Sequence, residues 1–456
     1  MQRLAVINVV GLTQDHLGEH TPYITALAEQ GSVCNLDPPL PAVTSTVQTT
    51  LLTGLVPKEH GIVSNGWHER ETNSTHFWRQ SNALVQGEMI WDAAKNRNSG
   101  FTCANMFWWF NMYSSVDIAV TPRPIYCVDG SKIPDIWTNP ENLRSHLQSK
   151  LGQFPLFKFW GPAANIESSR WIVDATILVE QLHQPTLTLV YVPHLDYALQ
   201  KNGPHHPSIS KELRAVDTEV GKLIEHFTKR NVNVCVLSEY GIDEVKDAVA
   251  LNRVLRIAGM LAVRDELGRE YLDAGQSDAF AVPDHQIAHV YVKDHQRISE
   301  TVSLLRETRG VEHVYTGTER GELAHERCGE IVVVADSVHW FSHDWWEHSS
   351  SAPEYQQTVD IHAKPGYDPR ELLLAKGWRG SKARIALKLL AKSVGFKAQF
   401  DVISLDTSRI RGSHGRTSAM GATSPIVLPP KNGGPQEDVI PATSMKNLFL
   451  DWLELS

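Results

Sequence analysis

Pro41–Asn65 reads PAVTSTVQTTLLTGLVPKEHGIVSN. The proline soon gives way to three small hydroxyl residues, Thr44, Ser45 and Thr46, and an unbroken run follows to Leu52 and ends at Thr53-Gly54. Thr or Ser in this place caps a helix, because the side-chain oxygen accepts from a first-turn N–H. The N–H groups of that turn also attract anions. The stretch therefore predicts a capped helix starting at Thr44. A threonine there can also act as a nucleophile when a base or metal ion activates it. Hydroxyls at a helix start are most often caps and nothing more, so the surroundings decide.

Upstream, Leu4–Val10 is apolar apart from Asn8 and suits a central parallel strand. Thr21-Pro22 starts a helix through Gln30, and Gly31 stops it. Downstream, Phe101–Phe107, Thr186–Val192 and Val232–Ser238 read as further buried strands. Ser168–Gln184 and Ser208–Arg230 read as helices, the second with Leu213, Val216, Val220, Leu223, Ile224 and Phe227 on one face. This alternation predicts an α/β fold: a doubly wound, mostly parallel central sheet flanked by helices, with functional residues at the carboxyl ends of its strands. The whole chain, 1–456, reads as one such domain. Within it, residues 117–161 are rich in Pro and aromatics and are expected to form a lid-like insertion. Residues 261–327 change to shorter strands around one helix and are expected to form a small α+β subdomain. The aromatic cluster Trp108–Tyr113 suits core packing or stacking on a ring.

Composition sets outer bounds. The 456 residues are enough for a large core, and the formal net charge is −9. With no basic run to follow a phosphate backbone, nucleic acid is not an expected partner. Cys34, Cys103, Cys127, Cys235 and Cys328 are odd in number and scattered, which fits neither a disulfide framework nor a zinc knuckle and is easiest in a reducing compartment. No apolar stretch approaches the roughly 18 residues of a membrane span, and the N-terminus reads as a strand rather than a signal peptide. A cytoplasmic location is expected.

The run T-x8-T-G-x-x-P-x-x-H-G-I-x-x-N, Thr44 to Asn65, resembles the nucleophile segment of the alkaline phosphatase superfamily, in its type I phosphodiesterase/nucleotide pyrophosphatase branch. Thr53-Gly54, Pro57 and His60-Gly61-Ile62 match; Val47 replaces an asparagine. The resemblance extends from Leu4 to about Gly415. It implies that Thr44 attacks phosphorus between two metal ions. In the segment after Thr186–Val192, where the family carries D-x-x-G-H and later G-P, this chain has Asp196, Gln200 and Gly203-Pro204. After Val232–Ser238, where the family carries S-D-H-G-M, it has Glu239-Tyr240-Gly241-Ile242. The first-strand aspartate falls at Val10, with Asn8 two residues earlier on the same strand face. Arg411-Gly412-Ser413-His414-Gly415 matches the late histidine motif.

The implied metal ligands are thus Asp196, Gln200, Glu239 and His414. Glutamine is a poor zinc ligand beside imidazole, and a phenol ligates only when deprotonated. Two divalent ions need a cluster of carboxylates and imidazoles. The expectation is one divalent ion (zinc, manganese or magnesium) rather than two, or none. Asn65 and His194 are the expected substrate-binding residues, His194 because it lies two residues from Asp196 at a strand end.

Three functions fit. The first is a phosphoester hydrolase or phosphotransferase acting on a small phosphorylated molecule, with Thr44 as nucleophile. The second is an inactive or repurposed relative acting as a small-molecule binding or scaffold protein. The third is an enzyme of changed reaction class that uses Glu239 or His194 as acid or base. Fold alone does not choose among them.

Overall fold

Leu4–Val9 (β1) is buried at every position, Asn8 included, as a mid-sheet parallel strand is. The computed structural model describes residues 1–456 apart from 129–130, 397, 418–420, 422, 432, 436 and 456. The strands that join β1 in one sheet are, in chain order, Cys34–Asp37 (β2), Cys103–Met106 (β3), Ile118–Pro122 (β4), Ile136–Asn139 (β5), Leu187–Val192 (β6), Asn233–Leu237 (β7), Ile426–Leu428 (β8) and Val439–Pro441 (β9). Their order is β9-β2-β8-β7-β1-β6-β3-β4-β5. The central block β7-β1-β6-β3-β4 is parallel. Antiparallel partners close it on either side: β5 pairs with β4, and β8 pairs with β7 and β2.

Helices flank the sheet. Pro22–Ala28 (α1), Thr44–Thr53 (α2), Ile166–His183 (α3), His194–Asn202 (α4) and Ile209–Lys229 (α5) are those that matter for the site. The apolar stripe of α5 is buried at Leu213, Val216, Val220, Leu223 and Phe227. Its buried Asp217 accepts from the Tyr23 and Ile24 amides at 3.2 and 2.9 Å, which caps α1.

Residues 117–161 continue the sheet through β4 and β5 and carry the helix Asn142–Leu151. Beyond Ala250 a second, antiparallel sheet is ordered Ala279–Asp284, Ile287–Val292, Ile331–Ala335, Val311–Thr316, with the helix Ile298–Arg306 packed on it.

One local expectation is corrected. Thr44 is the first helical residue, not the cap: Val43 occupies the cap position in extended conformation. The Thr44 hydroxyl turns away to Tyr240, and the Asn65 side chain caps the helix instead by accepting from the Ser45 N–H at 3.0 Å.

Candidate active site

Three neighbouring parallel strands deliver the site. In register, Asn8 of β1 lies between Tyr191 of β6 and Leu237 of β7. Just past the carboxyl ends of β6 and β7 the chain places Asp196, in the first turn of α4, and Glu239-Tyr240. Helix α2 starts against them with Thr44, and the segment 413–415 runs alongside Ala42, whose N–H bonds the Gly415 carbonyl at 3.0 Å. The convergence lies where an open α/β sheet binds its ligand.

Thr44 Oγ1 and the Tyr240 hydroxyl are 3.0 Å apart. Tyr240 begins a column of stacked rings. It lies 3.6 Å from His414 at an interplanar angle of 8°, His414 lies 3.6 Å from His285, and His285 lies 3.7 Å from Tyr367. His414 Nδ1 lies 2.7 Å from the Ala42 carbonyl, so it carries the proton and donates there, leaving Nε2 as an acceptor. That Nε2 has no partner, nor does Asp196 Oδ1, and the two atoms face each other at 4.0 Å. Asp196 Oδ2 accepts from Gln200 Nε2 at 2.8 Å, and Gln200 Oε1 accepts from the Tyr367 hydroxyl at 2.9 Å.

Glu239 is fully buried. Its Oε1 accepts from Asn8 Nδ2 and Gln48 Nε2, both at 2.5 Å, while Oε2 has no partner. Burial pushes the Glu239 carboxyl up to about 8, against the Gln48 and Asn8 hydrogen bonds that favour the charged form. Burial likewise pushes Asp196 up to about 7, against the Gln200 hydrogen bond. It lowers His414 to about 3 and holds the Tyr240 phenol well above its ordinary range. The floor of the site is therefore close to neutral and poor in cations.

Above it opens a cavity of about 250 Å³ with aromatic walls, among them Trp78, Trp109, Phe157, Trp160, Tyr197 and Tyr367. Its lining cations, Arg123 and Lys132, are at the rim; Lys132 is 3.3 Å from Asp360 and lies over the Tyr126 ring. Thr44, Asp196, Tyr240, His285 and His414 form the polar end.

Of the residues singled out from sequence, Thr44, Asp196 and His414 line the cavity, and Gln200 and Glu239 stand behind them. Asn65 is engaged elsewhere. Its Nδ2 and N–H donate to Asp284 at 3.2 and 2.8 Å, and Ser64 donates to the same carboxylate. His194 does not share the face of Asp196. That expectation treated the segment as a strand, but α4 is a helix, where two residues turn by about 200°, and His194 Nε2 meets Glu212 at 2.7 Å. His285 lines the cavity, whereas His289, four residues on, does not. His289 lies beneath it, with Nε2 3.0 Å from the Val63 carbonyl, because alternation along Ile287–Val292 separates it from the loop. Gln48 and Tyr367 carried no motif that marked them for the site, whereas His285 and His362 stand in the short patterns Asp284-His285-x-x-x-His289 and Asp360-x-His362, whose default reading is structural. Trp109 was visible only as part of an aromatic cluster, whose other tryptophan, Trp108, is core.

The donor set does not fit a pair of metal ions. A catalytic zinc takes about three protein ligands, and among the described residues no group of three or more His, Cys, Asp or Glu is arranged to hold an ion. At the Glu239 position two amide N–H groups point at the carboxylate where a cation would otherwise balance it, and a neutral phenol stands next to it. At the Asp196 position the Gln200 carbonyl is occupied by Tyr367.

Comparison with known proteins agrees with the fold. An uncharacterized pyrophosphatase/phosphodiesterase of Schizosaccharomyces pombe is 27% identical over 272 residues, 56% of this chain and 47% of that protein. Ectonucleotide pyrophosphatase/phosphodiesterase family member 3 of Rattus norvegicus is 27% identical over 203 residues, 43% of this chain and 19% of that one. The chain thus matches about half or less of the length of these curated relatives. Murine ectonucleotide pyrophosphatase/phosphodiesterase 5, solved as an inactive variant in complex with AMP, superposes with a TM-score of 0.60 over 100% of this chain and 96% of its own, at 16% identity, a likeness of fold. The family model described as type I phosphodiesterase / nucleotide pyrophosphatase matches residues 4–368. With the parallel sheet, the helix opening on Thr44 and the strand-end residues in the family's order, the chain belongs to the type I phosphodiesterase/nucleotide pyrophosphatase family.

Proposed function

We propose that the protein acts on a small phosphodiester with an aromatic or otherwise apolar body, with Thr44 as the attacking oxygen. The observation that carries this reading is the position of Thr44 Oγ1, at the polar end of an aromatic cavity, bonded to Tyr240 and backed by Glu239. The Tyr240 phenol stays protonated and donates to the Thr44 oxygen, which frees the Thr44 proton for Glu239 once that carboxyl has lost its own, so turnover should rise with pH toward about 8. Attack on phosphorus forms the Thr44–phosphoryl bond and breaks the bond to the leaving oxygen. Asp196, with its unpartnered Oδ1, is the group at the floor able to hand that oxygen a proton. Water then releases the phosphoryl group. A floor without a fixed cation favours a diester with one negative charge over a monoester with two. A nucleotide-like ligand suits the aromatic walls, and the murine relative was solved with AMP.

For divalent ions the reading is at most one, which Asp196 Oδ1 and His414 Nε2, the unpartnered pair, would hold in place of the Asp196 proton. A second reading, a binding protein without turnover, is favoured by the two amides that occupy Glu239. Thr44→Ala separates the two. With aryl phosphodiesters as probes, the first reading expects turnover in the wild type, a phosphoryl adduct on Thr44 by intact mass, and loss of both in the variant. Binding without turnover in the wild type, unchanged in Thr44→Ala, supports the second.

A further inference from the structure

Far from the cavity, the helix Lys382–Ser393 is attached to the body in the reverse of the usual sense. It buries no residue. Its contact with the rest of the protein is polar: Arg384 pairs with both oxygens of Asp401 at 2.8 Å, and Lys388 reaches Asp401 at 2.8 Å. Ile385 and Ala391 are half-buried, but most of its apolar residues are left outside. Ala383, Ala386, Leu387, Leu390 and Val394 recur at i, i+3, i+4, i+7 and i+11, one stripe of a helix, and all are exposed. Leu387, Leu390 and Val394 are each more than half exposed, as are Trp378 before the helix and Phe396 after it. A stripe of this kind normally faces a core.

The charge around it says what would cover it. From Lys376 to Lys397 the sequence carries Lys376, Arg379, Lys382, Arg384, Lys388, Lys392 and Lys397, and no acidic residue lies between Glu371 and Asp401. This occurs in a chain whose net charge is −9. The basic residues are spaced rather than consecutive, which hides them from a search for a basic run. Among the described residues Lys382 and Lys392 make no ion pair within the protein. A second copy of the same basic helix would meet like charge. An exposed apolar stripe flanked by lysines and a tryptophan matches a helix that lies in the boundary layer of a bilayer.

We propose that Lys382–Ser393, with Trp378 and Phe396, docks flat on an anionic lipid surface and holds the protein there peripherally. No helix among the described residues is long and apolar enough to cross a membrane. The test is flotation of the full chain with vesicles of phosphatidylcholine alone and of phosphatidylcholine with phosphatidylserine. Binding is expected with phosphatidylserine, weakened by salt and by about fivefold for each basic residue removed. Leu387→Glu/Leu390→Glu and Lys382→Glu/Lys392→Glu should each weaken it at least about tenfold. The substituted positions make no buried contact, so circular dichroism and melting temperature should not change. No vesicle binding, or equal binding to both vesicle types, overturns the proposal. So does a wild-type dimer that Leu387→Glu/Leu390→Glu converts to monomer without any effect on vesicle binding.

Discussion

Gln48 offers a quantitative test of how the site is held together. It sits in the second turn of α2 and is buried. Its Nε2 donates to Glu239 Oε1 at 2.5 Å, and its Oε1 accepts the Trp109 backbone N–H at 2.6 Å. Gln48→Ala removes both bonds where no solvent can replace them. A hydrogen bond to a carboxyl of mixed charge contributes about 1.5 kcal/mol, and a buried backbone N–H left without a partner costs about 1–3 kcal/mol. The expected loss is about 3–4 kcal/mol. Unfolding entropy of about 2.1 cal/mol/K per residue over 456 residues corresponds to about 1 kcal/mol per kelvin, so Tm should fall by about 3–4 °C. Urea denaturation followed by tryptophan fluorescence measures the loss directly, and thermal scanning gives the shift. Gln48→Glu adds a sign. It sets a second carboxyl against Glu239, so its penalty should be larger at pH 9 than at pH 6, where Glu239 holds its proton. A Gln48→Ala loss below about 0.5 kcal/mol would refute the reasoning, because it would mean that the amide clamp on Glu239 and the Trp109 contact contribute nothing.

Two further expectations concern the buried ionic cluster under Trp160. Arg370 pairs with Asp344 at 2.7 Å and with Asp368 at 2.7 Å, and Lys364 bridges Asp368 and Glu371, both at 2.8 Å. Arg370→Met strands the buried Asp344 carboxylate and leaves Asp368 with Lys364 alone, and should cost about 3–5 kcal/mol in urea denaturation; because Glu371 accepts from Trp160 Nε1 at 2.6 Å, it should also perturb that cavity wall. Burial pushes Asp368 up, but Arg370 and Lys364 outweigh it and hold the carboxyl far below the usual range. A depressed folded-state value means that its contribution is complete above the unfolded value of about 3.9 and is lost as pH falls below it. Stability measured from pH 5 down to pH 2.5 should therefore drop, and by less in Asp368→Asn.

Much of this was legible before any coordinates. The strands around Leu4, Thr186 and Val232 follow from uninterrupted apolar runs, and α5 follows from its stripe, because burial in a parallel sheet or against it dictates those patterns. Thr44, Asp196 and His414 were placed by motif spacing, and the structure brings all three to one cavity. What escaped depended on contacts distant in sequence. The cap of α2 comes from Asn65, 20 residues on. His194 turns away from the site because a helix begins at it, where a continued strand would have kept it on the face of Asp196. Tyr367 and His285 join the ring column only through the packing of the second sheet's loop against the segment around His414. No local pattern encodes that meeting.

The central claim is that the family's fold encloses a site without the family's pair of metal ions. The most direct measurement is the metal content of the purified, untagged protein by elemental mass spectrometry after incubation with zinc, manganese and magnesium, beside Glu239→Ala and His414→Ala. The account predicts no more than about one ion per chain, reduced in His414→Ala and unchanged in Glu239→Ala. Two ions per chain, with one lost in Glu239→Ala, would contradict it.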